Sequence, residues 1–322
     1  MAEIDIVYGK GSLIMANSKD THIDRISTGH CAIDDVTGSG IPRGRLTEIY
    51  AKQSGGKTTL ALQCVASAQK AGLIAAYIDL EHTVTDKYSK LLGVNWNELV
   101  YHAPQSGEEA FDSLHGMVAS GQFGIVVFDS VAAIATKRMI AGKATEEHRA
   151  EVARLLGKEL AKLNPMLHKS NTAVVFINQL RATMATFPGA KETVTPGGAA
   201  LKFLASLRIE MECAKTLKED GEVVGQTNVV TTVKNKCGPA QAKVLVVIRF
   251  PKYAADGITL LQPEDEGYEQ PGFDQMAEKI ERAIENGALS QGGAGYYKLE
   301  DGTKIHGLKQ LRQYYKDNPD KL

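Results

Sequence analysis

A glycine-rich stretch at residues 51–60, Ala51-Lys-Gln-Ser-Gly-Gly-Lys-Thr-Thr-Leu60, has the residue types of a phosphate-binding loop. The backbone N–H groups of such a turn form a concavity for anions, and the N-terminus of the helix that follows adds its dipole. We expect Lys57 to reach the β- and γ-phosphates of a nucleotide and the Thr58 hydroxyl to ligate Mg²⁺. The other contacts of this loop to the nucleotide are expected from Gln53, Ser54, Gly55, Gly56 and Thr59.

The loop departs from the usual spacing, G-x-x-x-x-G-K-[ST], because Ala51 stands where the first glycine belongs. Alanine fits at that position if its φ angle is negative, since a Cβ is penalised mainly at positive φ. The alternative is a surface turn that contains Gly-Gly-Lys-Thr-Thr and binds no phosphate.

The segments around the loop have the order that a phosphate-binding loop requires, which is strand, loop, helix. Apolar residues recur at helical spacing from Thr58 to Lys70. From about residue 45 to 250, apolar runs alternate with amphipathic helical segments, which predicts an α/β core with a mostly parallel sheet and helices on both faces. Ligands are then expected at the carboxyl ends of the strands. The predicted strands are 46–50, 74–79, 99–102, 125–128, 173–178, 205–211, 228–234 and 242–250, and the last ones, which have no helices between them, predict an antiparallel extension at that edge.

The composition is that of a globular protein and excludes several classes. The 322 residues suggest roughly two domains, and 43% hydrophobic content suffices for a sizeable core. Four cysteines lie far apart without a C-x-x-C pair, which favours neither a disulfide framework nor a zinc site and is typical of a reducing cytoplasm. No membrane span or export signal is expected. Because the formal net charge is −1, any nucleic-acid binding must rest on local patches.

Polar side chains at the ends of three buried-type strands complete the predicted site. Asp129 follows the run Ile125-Val-Val-Phe128 and is expected to organise Mg²⁺, with capping of the next turn as the alternative. Glu81 follows the strand after the loop helix and is placed to polarise the water that attacks the γ-phosphate. Gln179 is placed to contact the γ-phosphate. For Glu81 and Gln179 the alternative is a solvated side chain at a strand end.

The order and spacing of a series of short motifs resemble the bacterial RecA recombinases and their phage-encoded relatives. The resemblance runs from about Tyr8 to Arg249 and resumes more weakly from Gly272 to Pro319. The motifs are Tyr8-Gly-Lys-Gly-Ser12, Ile26-Ser-Thr-Gly29, Glu48-Ile-Tyr50, Gly56-Lys-Thr-Thr59, Ile78-Asp-Leu-Glu-His82, Phe128-Asp-Ser-Val-Ala-Ala133, Phe176-Ile-Asn-Gln179, Gly197-Gly198, Leu201-Lys-Phe203 and Val233-Lys-Asn-Lys236.

This resemblance implies a RecA-like P-loop ATPase core, with ATP and Mg²⁺ as cofactors and with a homo-oligomeric helical filament as the active assembly. Such filaments form on single-stranded DNA, search double-stranded DNA for homology and exchange strands. The nucleotide lies between protomers, and Lys234 and Lys236 match the pair that reaches the neighbour's γ-phosphate. Tyr88 matches the aromatic residue that stacks on adenine, and Lys202 and Phe203 match residues of the protomer interface.

The resemblance also implies DNA contacts in two loops, at 136–149 and 180–198. Each loop carries a small positive net charge, and taken alone both would pass for surface loops. Met184 or Phe187 is expected to wedge between bases, and the backbone N–H groups of the glycine pair are expected to contact phosphates. The DNA-binding residues predicted here are Lys137, Arg138, Arg149, Arg154, Arg181, Met184, Phe187, Gly197 and Gly198.

Three regions are predicted along the chain. They are a short N-terminal element at 1–40, to which the resemblance assigns polymerisation, a core at 41–255, which it identifies as the ATPase core, and a small α+β C-terminal domain at 270–322 with helix, hairpin and helix. A basic segment of the last region is placed either to gather DNA electrostatically or to form a solvated helix face. Its residues are Lys304, Lys309, Arg312, Tyr314, Tyr315 and Lys316.

The sequence therefore predicts a cytoplasmic, DNA-dependent ATPase that catalyses homologous pairing in recombination and repair. Two alternatives remain at this stage. One is a hexameric P-loop helicase, which would form a ring, and the other is a DNA-coating or regulatory filament that binds ATP and hydrolyses it slowly.

Overall fold

A computed structural model describes residues 22–142, 149–182, 193–219 and 221–318. The strands are β1 Arg25–Ile26, β2 Ile41–Pro42, β3 Leu46–Ala51, β4 Ile74–Asp79, β5 Val100–His102, β6 Phe123–Asp129, β7 Ala173–Gln179, β8 Arg181–Ala182, β9 Thr193–Val194, β10 Leu207–Glu219, β11 Glu222–Asn235, β12 Lys243–Arg249, β13 Gly272–Phe273, β14 Leu289–Gln291, β15 Tyr296–Leu299 and β16 Lys304–His306. The α-helices are α1 Cys31–Thr37, α2 Lys57–Lys70, α3 Asp86–Leu91, α4 Gly107–Ser120, α5 Lys137–Ala141, α6 Arg149–Ser170, α7 Ala200–Leu204, α8 Gln275–Glu285 and α9 Gly307–Asp317.

The central sheet has nine strands in the order β13-β12-β11-β10-β3-β7-β6-β4-β5. Pairing is parallel from β10 to β5 and antiparallel from β10 to β13. The predicted parallel core and its antiparallel extension are therefore confirmed. The register sets Ala51 beside Gln179 and Asp79 beside Asp129, so the carboxyl ends of four neighbouring strands meet at one edge.

The sheet is covered on both faces, as the unbroken apolar runs of its parallel strands predict. One face packs on α2, where Leu60, Leu62 and Val65 are fully buried. The other face packs on α4 and α6 around Phe111, Phe128 and Phe176, whose rings lie 5.0–6.4 Å apart. This double burial holds the central strands rigidly beneath the strand-end side chains.

Residues 22–40 pack onto the core rather than standing apart from it. Ile26 and Ile33 are buried in the same cluster as the apolar residues of α2. The N–H of Ala32 donates to Glu278 of α8 at 2.6 Å, so this segment also contacts the C-terminal region.

The C-terminal region forms its own apolar cluster around Ile280, Leu289, Leu299, Ile305 and Leu311. The predicted helix, hairpin and helix are present as α8, β15–β16 and α9, and β14 adds a third strand to the hairpin. Tyr315 of the basic segment is 3% exposed, and Arg312 forms an ion pair with Asp274 at 2.7 Å. These two side chains therefore stabilise the fold of this region.

A buried ion pair joins β3 to β10 in the centre of the sheet. Arg208 Nε donates to Glu48 Oε2 at 2.6 Å, and the Glu48 side chain is fully buried. The amide of Asn178 donates to the other carboxylate oxygen of Glu48 at 2.9 Å and to the Pro196 carbonyl at 3.2 Å. The network thereby connects the sheet to the segment that precedes Gly197.

We expect the replacement Arg208→Met to lower the free energy of unfolding by about 3–5 kcal/mol, because it leaves the Glu48 carboxylate buried without its partner. Urea denaturation measures this loss. The matched control is Lys90→Met, since Lys90 forms an exposed i,i+4 pair with Asp86, and its effect should stay below about 0.5 kcal/mol. Equal effects of the two replacements would contradict this account of the ion pair.

Candidate functional site

The loop between β3 and α2 has the conformation that its glycines require. Gly56 precedes α2 with φ +83°, and a Cβ there would lie 2.4 Å from Ile248 Cδ1. A Cβ on Gly55 would lie 2.6 Å from the Cβ of Ala51, so both positions need glycine. Ala51 itself is the fully buried last residue of β3, with the extended backbone that tolerates a side chain.

Lys57 lies at the first turn of α2 and folds back over the loop. Its Nζ donates to the Lys52 carbonyl at 3.0 Å, and its side chain is largely buried. Burial lowers the pKa of Lys57, against the opposing effect of the Asp129 and Glu81 carboxylates. A partly desolvated ammonium group over a glycine-rich loop at the N-terminus of a helix is a site for a polyanion.

Thr58 and Asp129 lie together at the sheet edge. Thr58 Oγ1 donates to Asp129 Oδ2 at 3.2 Å, and the buried Tyr77 hydroxyl donates to the same oxygen at 2.6 Å. Burial raises the pKa of Asp129 to about 6, although the hydrogen bond from Tyr77 opposes the shift. A desolvated carboxylate beside a hydroxyl suits a hard cation. Among residues 22–142, 149–182, 193–219 and 221–318, no group of three or more His, Cys, Asp and Glu side chains could hold a metal ion.

We expect Asp129→Asn to stabilise the metal-free, nucleotide-free protein at neutral pH. A carboxyl with a pKa of about 6 in the folded state and about 4 in the unfolded state binds its proton more tightly when folded. Its contribution to the free energy of unfolding therefore falls as pH rises from about 4 to 6 and stays low above that range. The asparagine removes a penalty of up to about 3 kcal/mol.

Urea denaturation with a chelator, at pH 5 and at pH 7.5, measures this gain, which should be larger at pH 7.5. Asp86→Asn, at an exposed position of α3, is the control and should show no gain. A destabilised Asp129→Asn variant at pH 7.5 would contradict the assignment of burial as the main cause.

Glu81 and Gln179 are brought together with Ser130, a residue that the sequence did not single out. Gln179 Nε2 donates to Glu81 Oε1 at 2.9 Å, and the Ser130 hydroxyl donates to the same oxygen. Ser130 directly follows Asp129 within the motif Phe128-Asp-Ser-Val-Ala-Ala133, and these were its only signals in the sequence. Asp79 is fully buried and accepts the backbone N–H groups of Glu81, His82 and Val84, which fixes the turn that carries Glu81.

Tyr88 lies against the loop helix. Its hydroxyl is 2.9 Å from Thr59 Oγ1, and Thr85 caps the N-terminus of α3 by accepting the Tyr88 N–H at 3.4 Å. The aromatic side chain is therefore held on the same side of the sheet edge as Lys57 and Thr58.

Lys234 and Lys236 lie toward the opposite end of the strands from the loop. In the register of the sheet, Lys234 of β11 lies opposite Arg208 of β10, and Arg208 lies opposite Glu48 of β3. The loop, in contrast, begins after Ala51, at the other end of β3. Lys234 Nζ donates to the carbonyls of Lys202 and Phe203, at 2.8 Å each. The Phe203 side chain is 73% exposed. One chain therefore does not bring this lysine pair to its own phosphate loop.

The described part of the second predicted DNA loop lies beside Val131 and Ala132, which precede the first predicted loop. Arg181 Nη2 donates to the Ala132 carbonyl at 3.3 Å, and a Cβ on Gly197 would lie 2.8 Å from Val131 Cγ1. Gly197 and Gly198 have φ angles of +90° and +76° and allow this segment to pack on α6, a packing role that the sequence did not predict.

The basic residues of this region lie on α5 and α6. Lys137 and Arg138 begin α5, and Arg138 forms an ion pair with Glu151 at 3.3 Å. Arg149 begins α6, and Arg154 is exposed on the same helix. Met184 and Phe187 lie outside the described residues.

Within the described part of the chain, no helix is long and apolar enough to cross a membrane. The described cysteines, Cys31, Cys64, Cys213 and Cys237, are all free thiols.

Comparison with known proteins identifies relatives of this chain. Residues 1–254 match the family model described as the RecA N-terminal domain. The chain is 37% identical to Protein RecA of Acidothermus cellulolyticus over 322 residues, covering 99% of this chain and 87% of that protein. It is 38% identical to Protein RecA of Ureaplasma parvum serovar 3 over 320 residues, covering 99% of this chain and 90% of that protein.

A solved structure shows the same fold. The crystal structure of the RadB recombinase superposes with a TM-score of 0.51 at 24% identity and covers 74% of this chain and 100% of that one. The phosphate loop, the strand-end carboxylates and the match to RecA proteins over nearly the whole chain lead to one conclusion. The chain belongs to the bacterial RecA family, and its activity is that of a DNA-dependent ATPase in DNA recombination and repair.

Proposed function

We propose that the chain assembles head to tail into a helical filament on single-stranded DNA, hydrolyses ATP between neighbouring protomers and pairs the bound strand with homologous double-stranded DNA. The observation that carries this proposal is the separation of Lys234 from the loop of its own chain. A head-to-tail contact, in which one end of the sheet meets the opposite end of the next protomer, brings the two parts of the site together.

The residues of the loop edge have distinct tasks in this proposal. Lys57 and the loop N–H groups bind the phosphates, Thr58 and Asp129 hold Mg²⁺, and Tyr88 stacks on the base. When held there, Mg²⁺ would supply neutralisation of phosphate charge. The predicted Mg²⁺ ligands fit the ion because two oxygen donors lie 3.2 Å apart and face the same edge as Lys57.

Glu81 acts as the base that orients the attacking water. Ser130 and Gln179 donate to one of its oxygens, which fixes the carboxylate plane and directs the other oxygen toward the water. Lys234 and Lys236 of the next protomer stabilise the charge that develops on the transferred phosphate, as an arginine finger does.

Gln179 also links the nucleotide to DNA. It is the last residue of β7, and β8 begins two residues later in the second predicted DNA loop. A γ-phosphate that takes the Gln179 amide from Glu81 would shift this loop at the same time. Arg138, Arg154 and Arg181 then contact the DNA backbone, and Phe203 packs against the neighbouring protomer.

Electron microscopy with ATP and single-stranded DNA, combined with a turnover assay, tests the proposal. The expected result is a helical filament with ATP hydrolysis that single-stranded DNA stimulates. Closed rings would instead support the helicase alternative, and filaments without DNA-stimulated hydrolysis would support the coating or regulatory filament.

A further inference from the structure

Two amide side chains of β11 donate hydrogen bonds to backbone carbonyls of the phosphate loop, residues 51–60. Gln226 Nε2 donates to the Ser54 carbonyl at 3.2 Å, and Asn228 Nδ2 donates to the Gly55 carbonyl at 3.0 Å. Both side chains are buried, with exposures of 7% and 0%. None of the functional roles assigned above involves either residue.

Their position in the strand makes them unusual. Alternate residues of β11 from 226 to 232 are buried, and Val230, the next along this face, lies in the apolar core. Amides at such positions cost free energy unless they form hydrogen bonds. Asn228 Oδ1 has no hydrogen-bond partner in the described structure. Of the two polar atoms of this amide, only Nδ2 therefore forms a hydrogen bond there, to the Gly55 carbonyl.

The two hydrogen bonds fix the orientation of two peptide planes. In a trans peptide the carbonyl and the next N–H point in opposite directions. Asn228 draws the Gly55 carbonyl toward β11, so the N–H of Gly56 points away from β11. Gln226 does the same for the Ser54 carbonyl, while the N–H of Gly55 closes the turn by donating to the Lys52 carbonyl at 3.3 Å.

We propose that Gln226 and Asn228 are positioning residues of the nucleotide site. They hold the loop carbonyls away from the phosphates of the nucleotide, so that the Gly56 N–H points at those phosphates. This inference rests on the proposed binding of nucleotide at the loop. The contact of Ala51 with Gly55 and the packing of Gly56 on Ile248 support the loop from two further sides. The two amides add hydrogen bonds to the loop carbonyls, which the apolar contacts of Ala51 and Ile248 cannot provide.

Binding of ADP with Mg²⁺ to the full chain, measured by calorimetry, tests this proposal. Asn228→Leu and Gln226→Met keep much of the side-chain volume and remove the donor. Each is expected to weaken ADP binding about five- to tenfold, the loss of roughly one net hydrogen bond. Thr227→Val is the matched control, because Thr227 lies on the same strand with its side chain on the opposite face, and its affinity should stay within about twofold of the unmodified chain.

A second readout separates positioning from general stability. Hydrogen exchange of residues 52–57 without nucleotide should quicken in both variants, whereas a merely structural role would lower the melting temperature and leave the affinity of the folded protein unchanged. If Asn228→Leu fails to fold, Gln226→Met, at the less completely buried of the two positions, decides the question by the same two measurements.

Unchanged ADP affinity in folded variants would overturn the positioning role alone. An unmodified chain that failed to bind ADP would instead contradict the proposed nucleotide site, and the positioning role with it.

Discussion

Lys57→Ala is expected to abolish ATP-dependent strand exchange and to lower ATP turnover by at least about a hundredfold. Lys57 is the cation of the phosphate loop, and its ammonium group is already partly desolvated against the loop backbone. A preorganised charge of this kind contributes mainly where negative charge develops, and loss of one such donor typically costs about 10²–10³ in rate. Strand exchange between circular single-stranded and linear double-stranded DNA, with turnover measured in parallel, checks this result.

Lys70→Ala is the matched control for that experiment. Lys70 is exposed at the last turn of the same helix and should leave both activities near those of the unmodified chain. Strand exchange that persisted in Lys57→Ala would contradict the assignment of the phosphate loop, and the proposed function with it.

Glu81→Gln is expected to reduce the hydrolysis step by about 10²–10⁴-fold while nucleotide and DNA binding persist, since general base catalysis contributes an effect of this size. The glutamine that replaces Glu81 retains an oxygen that accepts the hydrogen bond from Ser130, so the local geometry survives and only the base is lost. The ATP-bound filament should therefore outlive that of the unmodified chain. Single-turnover hydrolysis and DNA dissociation, measured on the same sample, check both parts.

Glu300→Gln, an exposed change near the C-terminal hairpin, serves as the control and should leave both rates unchanged. Loss of ATP binding in Glu81→Gln, or hydrolysis at an unreduced rate, would contradict the role of Glu81 as the base.

The sequence predicted those parts of the fold that depend on regular patterns. Apolar runs followed by Glu81, Asp129 and Gln179 predicted parallel strands whose carboxyl ends meet, and the sheet register confirms it. The order of strand, glycine-rich loop and helix around Lys57 predicted the loop geometry, because each residue type there has a local steric or electrostatic reason.

The parts that the sequence did not reveal depend on contacts between distant segments. The donors from Gln226 and Asn228 reach a loop about 170 positions earlier in the chain. Ser130 gains its role only because the turn after β4 brings Glu81 beside it. Likewise, Gly197 and Gly198 suggested DNA phosphates in the sequence, and their packing on α6 required the tertiary structure. Local periodicity carries no information about any of these pairings.

Mixing two inactive variants tests the central claim, that each ATP site is shared by two protomers, most directly. One chain carries Lys57→Ala and the other carries both Lys234→Ala and Lys236→Ala. In a randomly mixed head-to-tail filament, about a quarter of the interfaces join an intact loop to an intact lysine pair. We predict that an equimolar mixture recovers about a quarter of the DNA-stimulated ATPase rate of the unmodified chain, although each variant alone has almost none. A mixture as inactive as its components, or full activity in the chain that lacks Lys234 and Lys236, would contradict the shared site.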